Sequence, residues 1–222
     1  MKQISLYILL LGIAFPANAQ ELYTDLSHTD FRQYPDFNTK IELEQFKPEL
    51  LNACVFFITN EIRAKKKLSI LQHHQLLEAA ATMHSNDMVD LDFFSHTNRK
   101  NKDRREPSDR AKQVGILNPF IAENIIEGFI LEYKAGDEVI VISDGQFIDA
   151  SSRDTLKART YLELADSMMR IWMKSEGHRK NIVSKDALQL GCGCRLTYMK
   201  EFNNMPIVRA TQCFQWFEVI TE

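Results

Sequence analysis

The segment TYLELADSMMRIWMKSEGHRKNI, residues 160–182, contains the clearest local structural signals of this chain. Its first residue, Thr160, is followed three positions later by Glu163, which is the spacing of a capping box and predicts a helix that begins there. The apolar residues that follow recur at helical spacing and predict one buried face: Tyr161, Ala165, Met168 and Trp172. We expect this helix to end at Gly177, directly before His178.

Two further helices are predicted upstream of that segment. Pro48 suits a first helical position, and four apolar residues then recur with the helical period: Leu51, Val55, Ile58 and Ile62. A second helix is expected from about residue 72 to residue 90, with His84 on its apolar stripe. We interpret His84 as a histidine at the edge of the core, bonded to a neighbour, rather than as a ligand.

Strand patterns dominate the C-terminal part of the chain. Residues 188–196 and 207–219 are strand-like, and the polar stretch between them contains Asn203-Asn204, which together predict an antiparallel hairpin. Residues 138–143 also predict a strand, whereas residues 144–158 have the composition of a polar loop. Helices that flank an antiparallel sheet make an α+β fold.

The N-terminus has the pattern of a secretory signal peptide. Lys2 precedes an apolar run over residues 4–15, and Ala17-Asn18-Ala19 is the small-residue pattern of a cleavage site. We therefore expect cleavage after Ala19 and a secreted or periplasmic protein, with no transmembrane segment in the mature chain. The chain has 27 basic and 30 acidic residues, and this charge balance does not indicate nucleic-acid binding.

Four cysteines in an exported chain raise the question of disulfide bonds. If the hairpin turned at Asn203-Asn204, Cys194 would face Cys213 at a hydrogen-bonded position, where the geometry suits a bridge poorly. A longer connection would shift that register. One bridge within Cys192, Cys194 and Cys213 therefore remains open, and Cys54 is interpreted as a small buried apolar residue.

Several short segments, in this order, resemble the signature of the bacterial CAP family (cysteine-rich secretory, antigen 5, pathogenesis-related). They are NEIR 60–63, HSNDM 84–88, FSH 94–96, DRA 109–111, AENI 122–125, WMKSEGHRKNI 172–182, GCG 191–193 and ATQCF 210–214. The resemblance implies a three-layer α-β-α sandwich with a central, mostly antiparallel sheet flanked by helices. It divides the chain into a signal peptide at 1–19, an N-terminal extension at 20–47, and a CAP domain at 48–222 with an insertion near 130–159.

The same resemblance implies a ligand-binding cleft. Members of this family usually carry two histidines and two glutamates there, and His96, Glu123 and His178 match three of them. Glu176 is the candidate for the fourth, one position away from the usual place, where this chain has Ser175.

Two neutral imidazoles can bind zinc or another divalent ion, so His96 and His178 are candidate metal ligands. The leading hypothesis is a non-catalytic protein whose cleft holds a lipid, a sterol-like molecule or a cell-wall component. One alternative is a metal-assisted hydrolase that acts on a peptide, a lipid ester or a cell-wall polymer. Another is a structural or partner-binding module in which these residues only brace the fold. A serine hydrolase built on Ser95 or Ser175 is disfavoured, because neither serine lies in a Gly-x-Ser-x-Gly turn.

Overall fold

A four-stranded sheet forms the middle layer of the computed structural model, which describes residues 17–143 and 145–221. The strand order is β1-β5-β6-β2. Strands β5 and β6 form the predicted hairpin, β2 pairs antiparallel with β6, and only β1 pairs parallel with its neighbour. The four strands are β1 Gln72–His73, β2 Ile121–Phe129, β5 Ala187–Met199 and β6 Met205–Trp216.

Helices cover both faces of this sheet, which confirms the three-layer α-β-α sandwich. On one face, α3 packs on β5 and β6, and α4 packs beside it. On the other face, α2 and α5 pack together and against β5 and β2. The short helix α6 contacts β2. These helices are α2 Pro48–Lys65, α3 Gln75–Asp90, α4 Pro107–Gln113, α5 Tyr161–Lys174 and α6 Glu176–Ile182.

Two glycines of β5 set the distance between the sheet and α3. A Cβ added at Gly191 would lie 2.0 Å from the backbone nitrogen of Glu78, and one at Gly193 would lie 2.2 Å from that of Thr82. No side chain fits in that space, because these contacts are with backbone. The helix therefore lies directly on the strand.

Two predicted helix boundaries were wrong. The capping box of Thr160 and Glu163 is present, but α5 ends at Lys174, and the extended backbone of Ser175 separates it from α6. Gly177 is thus inside the first turn of α6 rather than at a helix end. The helix expected from residue 72 begins at Gln75, since Gln72 and His73 pair with β5 instead.

The region predicted as an insertion holds a second, two-stranded sheet made of β3 Val139–Ser143 and β4 Gln146–Asp149. The expectation of a polar loop over residues 144–158 was therefore wrong at β4. The reason is Phe147, which is fully buried and packs with Leu131, Met205 and Ile207.

The N-terminal extension packs on α2 and α5. Helix α1, Ala17–Asp25, begins before the predicted cleavage site and runs into the extension, which also contains three short 3-10 helices, Phe31–Gln33, Pro35–Asn38 and Leu43–Gln45. Phe31 and Phe37 are fully buried, and Arg32 binds Glu61 of α2 and Asp166 of α5. The apolar run of the predicted signal peptide lies outside the described residues. Within the described part of the chain, no helix combines the length and the apolar character needed to span a bilayer.

All four cysteines are buried and free. The hairpin connection is longer than a turn at Asn203-Asn204, because a 3-10 helix at Lys200–Phe202 precedes those residues and Met199 pairs with Met205. Cys194 consequently faces Ala210, and Cys213 faces Gly191. Cys192 belongs to the core under α2, whereas Cys213 packs with Leu77, Ala81 and Ala111 on the opposite face. The bridge between Cys194 and Cys213 is therefore not formed.

Candidate functional site

Glu123 lies at the centre of the candidate site. It is on β2, opposite Cys213 of β6, so its side chain points to the face covered by α3 and α4. One carboxylate oxygen, Oε2, accepts a hydrogen bond of 2.7 Å from Nη2 of Arg110, and both side chains are buried. The other oxygen, Oε1, lies 2.9 Å from Nδ1 of His96.

Opposing effects act on the pKa of Glu123. Burial alone would raise the pKa of this carboxyl, but the hydrogen bond with His96 and the positive charge of Arg110 outweigh burial and hold the pKa below its usual value. The carboxylate is therefore ionised at neutral pH.

His96 presents its ring to solvent from a fixed position. Its side chain is 48% exposed, and its backbone carbonyl accepts a hydrogen bond from Nη2 of Arg110 at 3.1 Å. Because a carboxylate only accepts, the neutral ring must carry its proton on Nδ1, toward Glu123. Nε2 is then the acceptor position of the ring. Arg110 and Glu123 together set both the place and the tautomer of His96.

His84 closes the buried side of the site. Its Nε2 donates to the carbonyl of Ser95 at 3.0 Å and lies 3.7 Å from Oε1 of Glu123. The ring is fully buried, and its Nδ1 has no hydrogen-bond partner in the described part of the structure. Burial lowers the pKa of His84 to about 4, which keeps the ring neutral.

His178 is positioned by amide side chains that join α6 to β2. Nδ2 of Asn181 donates to the carbonyl of Glu123 at 3.2 Å and to Oδ1 of Asn124 at 2.9 Å. Nδ2 of Asn124 in turn donates to the carbonyl of His178 at 3.2 Å. Burial, and next the electrostatic effect of the nearby His96 imidazole, lower the pKa of the His178 imidazole. Among the described atoms, its Nδ1 is buried without a partner.

The fourth predicted site residue, Glu176, does not join this group. Its side chain is 73% exposed and pairs with Lys180 at 2.8 Å, one turn further along α6. The structure thus brings His96 and Glu123 into direct contact, ties the backbone of His178 to Asn124, the residue after Glu123, and leaves Glu176 at the surface. The break at Ser175 is the physical reason, because α6 restarts there and turns Glu176 outward.

Neither serine near the histidines is arranged as a nucleophile. Oγ of Ser95 accepts a hydrogen bond from the backbone nitrogen of Thr97 at 3.2 Å, which stabilises a local turn. Ser175 is the N-cap residue of α6, and its side chain makes no capping hydrogen bond. In the described region, no hydrogen bond joins either hydroxyl to an imidazole.

The donor set of the site determines whether it could hold a metal ion. Within residues 17–143 and 145–221, no group of three or more His, Cys, Asp or Glu side chains is arranged to share one ion. His96 and His178 are two donors, and the hydrogen bond with Glu123 already engages Nδ1 of His96. Zinc at these two histidines remains a prediction, and the function proposed below does not depend on it.

Arg110 is a member of the site that the sequence did not indicate. His84, interpreted as a core-edge histidine bonded to a neighbour, is indeed buried and bonded to the Ser95 carbonyl, and it also lies 3.7 Å from Glu123. Arg110 lies in the DRA segment and His84 in the HSNDM segment, so both belong to the quoted resemblance. The sequence signal for such partners is a glutamate within a segment that is predicted to lie inside a sheet. A glutamate inside a sheet needs cationic or donor partners, and a short arginine-bearing helix nearby can supply them.

Comparisons with known proteins agree with this architecture. The cysteine-rich secretory protein family (CAP) matches residues 56–202. Among curated proteins, the chain is 29% identical over 136 residues to the uncharacterized protein YkwD of Bacillus subtilis, covering 61% of this chain and 39% of that protein. It is 27% identical over 141 residues to the uncharacterized membrane protein YlbC of the same organism, covering 64% of this chain and 30% of YlbC.

A solved structure shows the same fold. It is an extracellular protein containing a SCP domain from Bacillus anthracis, with a TM-score of 0.50 and 22% sequence identity. The match covers 78% of this chain and 42% of the other. The chain spans less than half the length of the curated relatives and of the solved structure that it matches.

Proposed function

This chain belongs to the cysteine-rich secretory protein (CAP) family, and from that premise we propose that it is an extracellular, non-catalytic binding protein. The proposed site is a cleft at His96, Glu123 and His178, and the proposed ligand is a lipid, a sterol-like molecule or a cell-wall component. The signal-peptide pattern before Gln20 supports export. The similar protein from Bacillus anthracis is described as extracellular, which supports the same location.

One observation carries the proposal: the buried ion pair of Arg110 and Glu123 supports an imidazole that is open to solvent. Nη2 of Arg110 holds both the carboxylate of Glu123 and the backbone of His96. The ring is therefore oriented before any ligand arrives, and such preorganisation lowers the entropic cost of binding. A bracing role alone would not require half of the His96 side chain to be exposed.

The protonation states define what the cleft recognises. Glu123 is ionised, and the positive charge of Arg110 balances its negative charge. The lowered pKa of His178 keeps that ring neutral at pH 7. Nε2 of His96 is an acceptor in the tautomer that Glu123 imposes. A ligand with a hydroxyl or amide N–H fits this arrangement, because it can donate to Nε2 without bringing a charge into the cleft.

Catalysis is less well supported than binding. A hydrolase needs an activated nucleophile, and Ser95 and Ser175 are not bonded to an imidazole among the described residues. A metal-assisted mechanism needs a site with more donors than the two histidines supply.

The test uses exported protein incubated with lipid extracts and with cell-wall fragments. Bound molecules are identified by mass spectrometry, and binding is measured as a thermal shift. We expect retention of a hydroxyl-bearing or amide-bearing ligand by the unmodified protein and its loss in His96→Ala and His178→Ala. Tyr198→Ala, which changes a ring on β5 that is 44% exposed and lines neither the cleft nor the groove beside the N-terminal extension, is the control.

Two results would contradict the proposal. Protein that retains no ligand from either source would argue against a binding function. Retention that is equal in all four proteins would place the binding elsewhere on the molecule.

A further inference from the structure

A groove separates the N-terminal extension from the body of the domain, away from the His96 cleft. We call it the N-terminal groove. Its walls are residues 23 and 26–28 on one side and residues 56, 57, 60 and 70–73 on the other, and its volume is about 380 Å³. That volume lies in the range of small-molecule sites, which are typically about 300–1,000 Å³.

The walls are mainly apolar and aromatic. Ile70, which is 41% exposed, and the half-buried Tyr23 and Leu26 contribute the apolar surface that a ligand can reach. Three buried residues lie beneath them: Phe56, Phe57 and Leu71. Phe56 and Phe57 meet edge to face, with ring centroids 5.3 Å apart, and Tyr23 meets Phe56 in the same way at 5.2 Å. These contacts among the rings hold Tyr23 in a fixed position at the edge of the groove.

His73, a polar side chain of the groove wall, is held in position by two neighbouring side chains. Nε2 of His73 lies 2.5 Å from the carboxylate of buried Glu78, and the His73 ring stacks on Tyr23 with centroids 3.5 Å apart. Since the carboxylate accepts, Nε2 carries the proton in the neutral ring and Nδ1 is its acceptor position. His73 is therefore a fixed hydrogen-bonding group between aromatic walls.

The charge of the groove favours an uncharged ligand. Among the described lining residues there is no Lys, Arg, Asp or Glu, and the only titratable imidazoles are His28 and His73. A charged molecule would lose its hydration in this groove without gaining a partner of opposite charge.

Tyr23, on the groove wall, lies close to the predicted N-terminus of the mature chain. It lies three residues after Gln20, the first residue that would remain after cleavage at the predicted site. The extension is fixed further on, where Arg32 makes paired hydrogen bonds with Glu61 and with Asp166. Between that anchor and the new N-terminus, Leu22 and Tyr23 supply the apolar contacts with α2 and β1.

We propose that the N-terminal groove is a second binding site, for a small uncharged aromatic molecule that carries one hydroxyl group. Its ring packs between Tyr23, Leu26 and Ile70, and its hydroxyl bonds with His73. The site is independent of the His96 cleft, so each proposal can fail without the other.

The experiment titrates exported protein with 2-naphthol, followed by ligand-detected NMR, and repeats the titration with the charged analogue 2-naphthoate. We expect 2-naphthol to bind at least tenfold more tightly than 2-naphthoate. Ile70→Glu, on the groove wall, should weaken 2-naphthol binding at least tenfold. Ile171→Glu changes an isoleucine that is similarly exposed but lies on α5, and it should change binding less than twofold.

Three further variants separate the contribution of the Tyr23 ring from that of the His96 cleft. Tyr23→Ala should weaken binding at least tenfold, whereas Tyr23→Phe, which keeps the ring, should restore it. His96→Ala should leave 2-naphthol binding unchanged, since that residue belongs to the other site. The proposal is overturned if unmodified protein does not bind 2-naphthol, if 2-naphthoate binds equally well, or if Ile70→Glu and Ile171→Glu behave alike.

Discussion

Arg110 and Glu123 form a buried ion pair at 2.7 Å between α4 and β2. Removing one partner of such a pair leaves an uncompensated charge in the interior, which typically costs about 3–5 kcal/mol. We therefore expect Arg110→Met to lower the free energy of unfolding by about that amount, measured by urea denaturation. Arg105→Met, at an arginine that is 57% exposed, should change it by less than about 0.5 kcal/mol.

The double variant Arg110→Met, Glu123→Leu checks the interpretation. Because it removes both charges together, it should recover much of the stability that the single variant loses. Equal losses in the single and double variants would show that packing, and not the unpaired charge, is responsible.

His84 makes stability depend on pH. Its pKa of about 4 in the folded protein lies below the ordinary value near 6.5, so the unfolded chain binds a proton first as the pH falls. Above about pH 6.5 His84 is neutral in both the folded and the unfolded state and costs no stability. Between pH 7 and pH 5 its protonation in the unfolded chain lowers the free energy of unfolding by about 2 kcal/mol. Urea denaturation at the two pH values measures the loss.

The matched variant is His84→Gln, which keeps a donor for the carbonyl of Ser95 but does not titrate. It should be less sensitive to pH over the same interval. Glu123 does not interfere, because its lowered pKa places its own loss of stability below about pH 4.5. If His84→Gln shows the same pH dependence as the unmodified protein, His84 is not the group responsible.

The sequence predicts well those parts of the fold that have local signals. The capping box at Thr160, Pro48 at a first helical position, and the paired strands around Asn203-Asn204 all carry their own chemistry, and each is present in the structure. Strand β2 has no such signal, because Glu123 and Asn124 are buried polar residues in its middle. A strand that carries the site therefore resembles a polar segment when it is considered alone.

In the candidate site, too, only the residues that lie in local sequence motifs can be predicted. His96, Glu123 and His178 are found through ordered motifs, whereas the pairing of Arg110 with Glu123 depends on how α4 lies on the sheet, which no local pattern encodes. Glu176 illustrates the opposite case, since a shift of one position on a new helix moves its side chain to solvent.

Gly191 is required by the contact between β5 and α3. In Gly191→Ala the new Cβ would meet backbone atoms at about 2 Å, so the helix must move away from the sheet. We expect a loss of more than about 3 kcal/mol in the free energy of unfolding, since the obstructing atoms cannot rotate away. Gly177→Ala is the control, because nothing lies within 4 Å of its added Cβ, and it should be neutral or slightly stabilising. Similar stabilities for the two variants would contradict the close-packing argument.

The four free thiols should be unreactive in the folded protein. Burial raises the pKa of Cys54, Cys192, Cys194 and Cys213, and only the thiolate reacts readily with alkylating reagents. Iodoacetamide followed by mass spectrometry should show almost no labelling in native buffer and four labels in urea. An added exposed thiol, Ser152→Cys, should be labelled under both conditions. Fast labelling of the native cysteines, or loss of thiols to a bridge, would contradict the buried free state.

Matched substitutions of two glutamates test how the proposed cleft is built. Glu123→Gln removes the charge that balances Arg110 and leaves one acceptor oxygen in place of two, so Arg110 and His96 can no longer both donate to this side chain. Glu176→Gln changes a side chain that is paired only with Lys180 among the described residues. We expect Glu123→Gln to weaken retention of the cleft ligand at least tenfold and Glu176→Gln to change it less than twofold. Thermal shift with the ligand identified by mass spectrometry provides the measurement.

Because Glu123→Gln also lowers stability by leaving a buried arginine unpaired, binding must be compared at a temperature where all three proteins are folded. Circular dichroism at that temperature supplies the check. A large effect of Glu176→Gln would mean that α6 turns Glu176 into the cleft when the ligand binds. Equal retention in Glu123→Gln and the unmodified protein would mean that the orientation of His96 does not matter for binding.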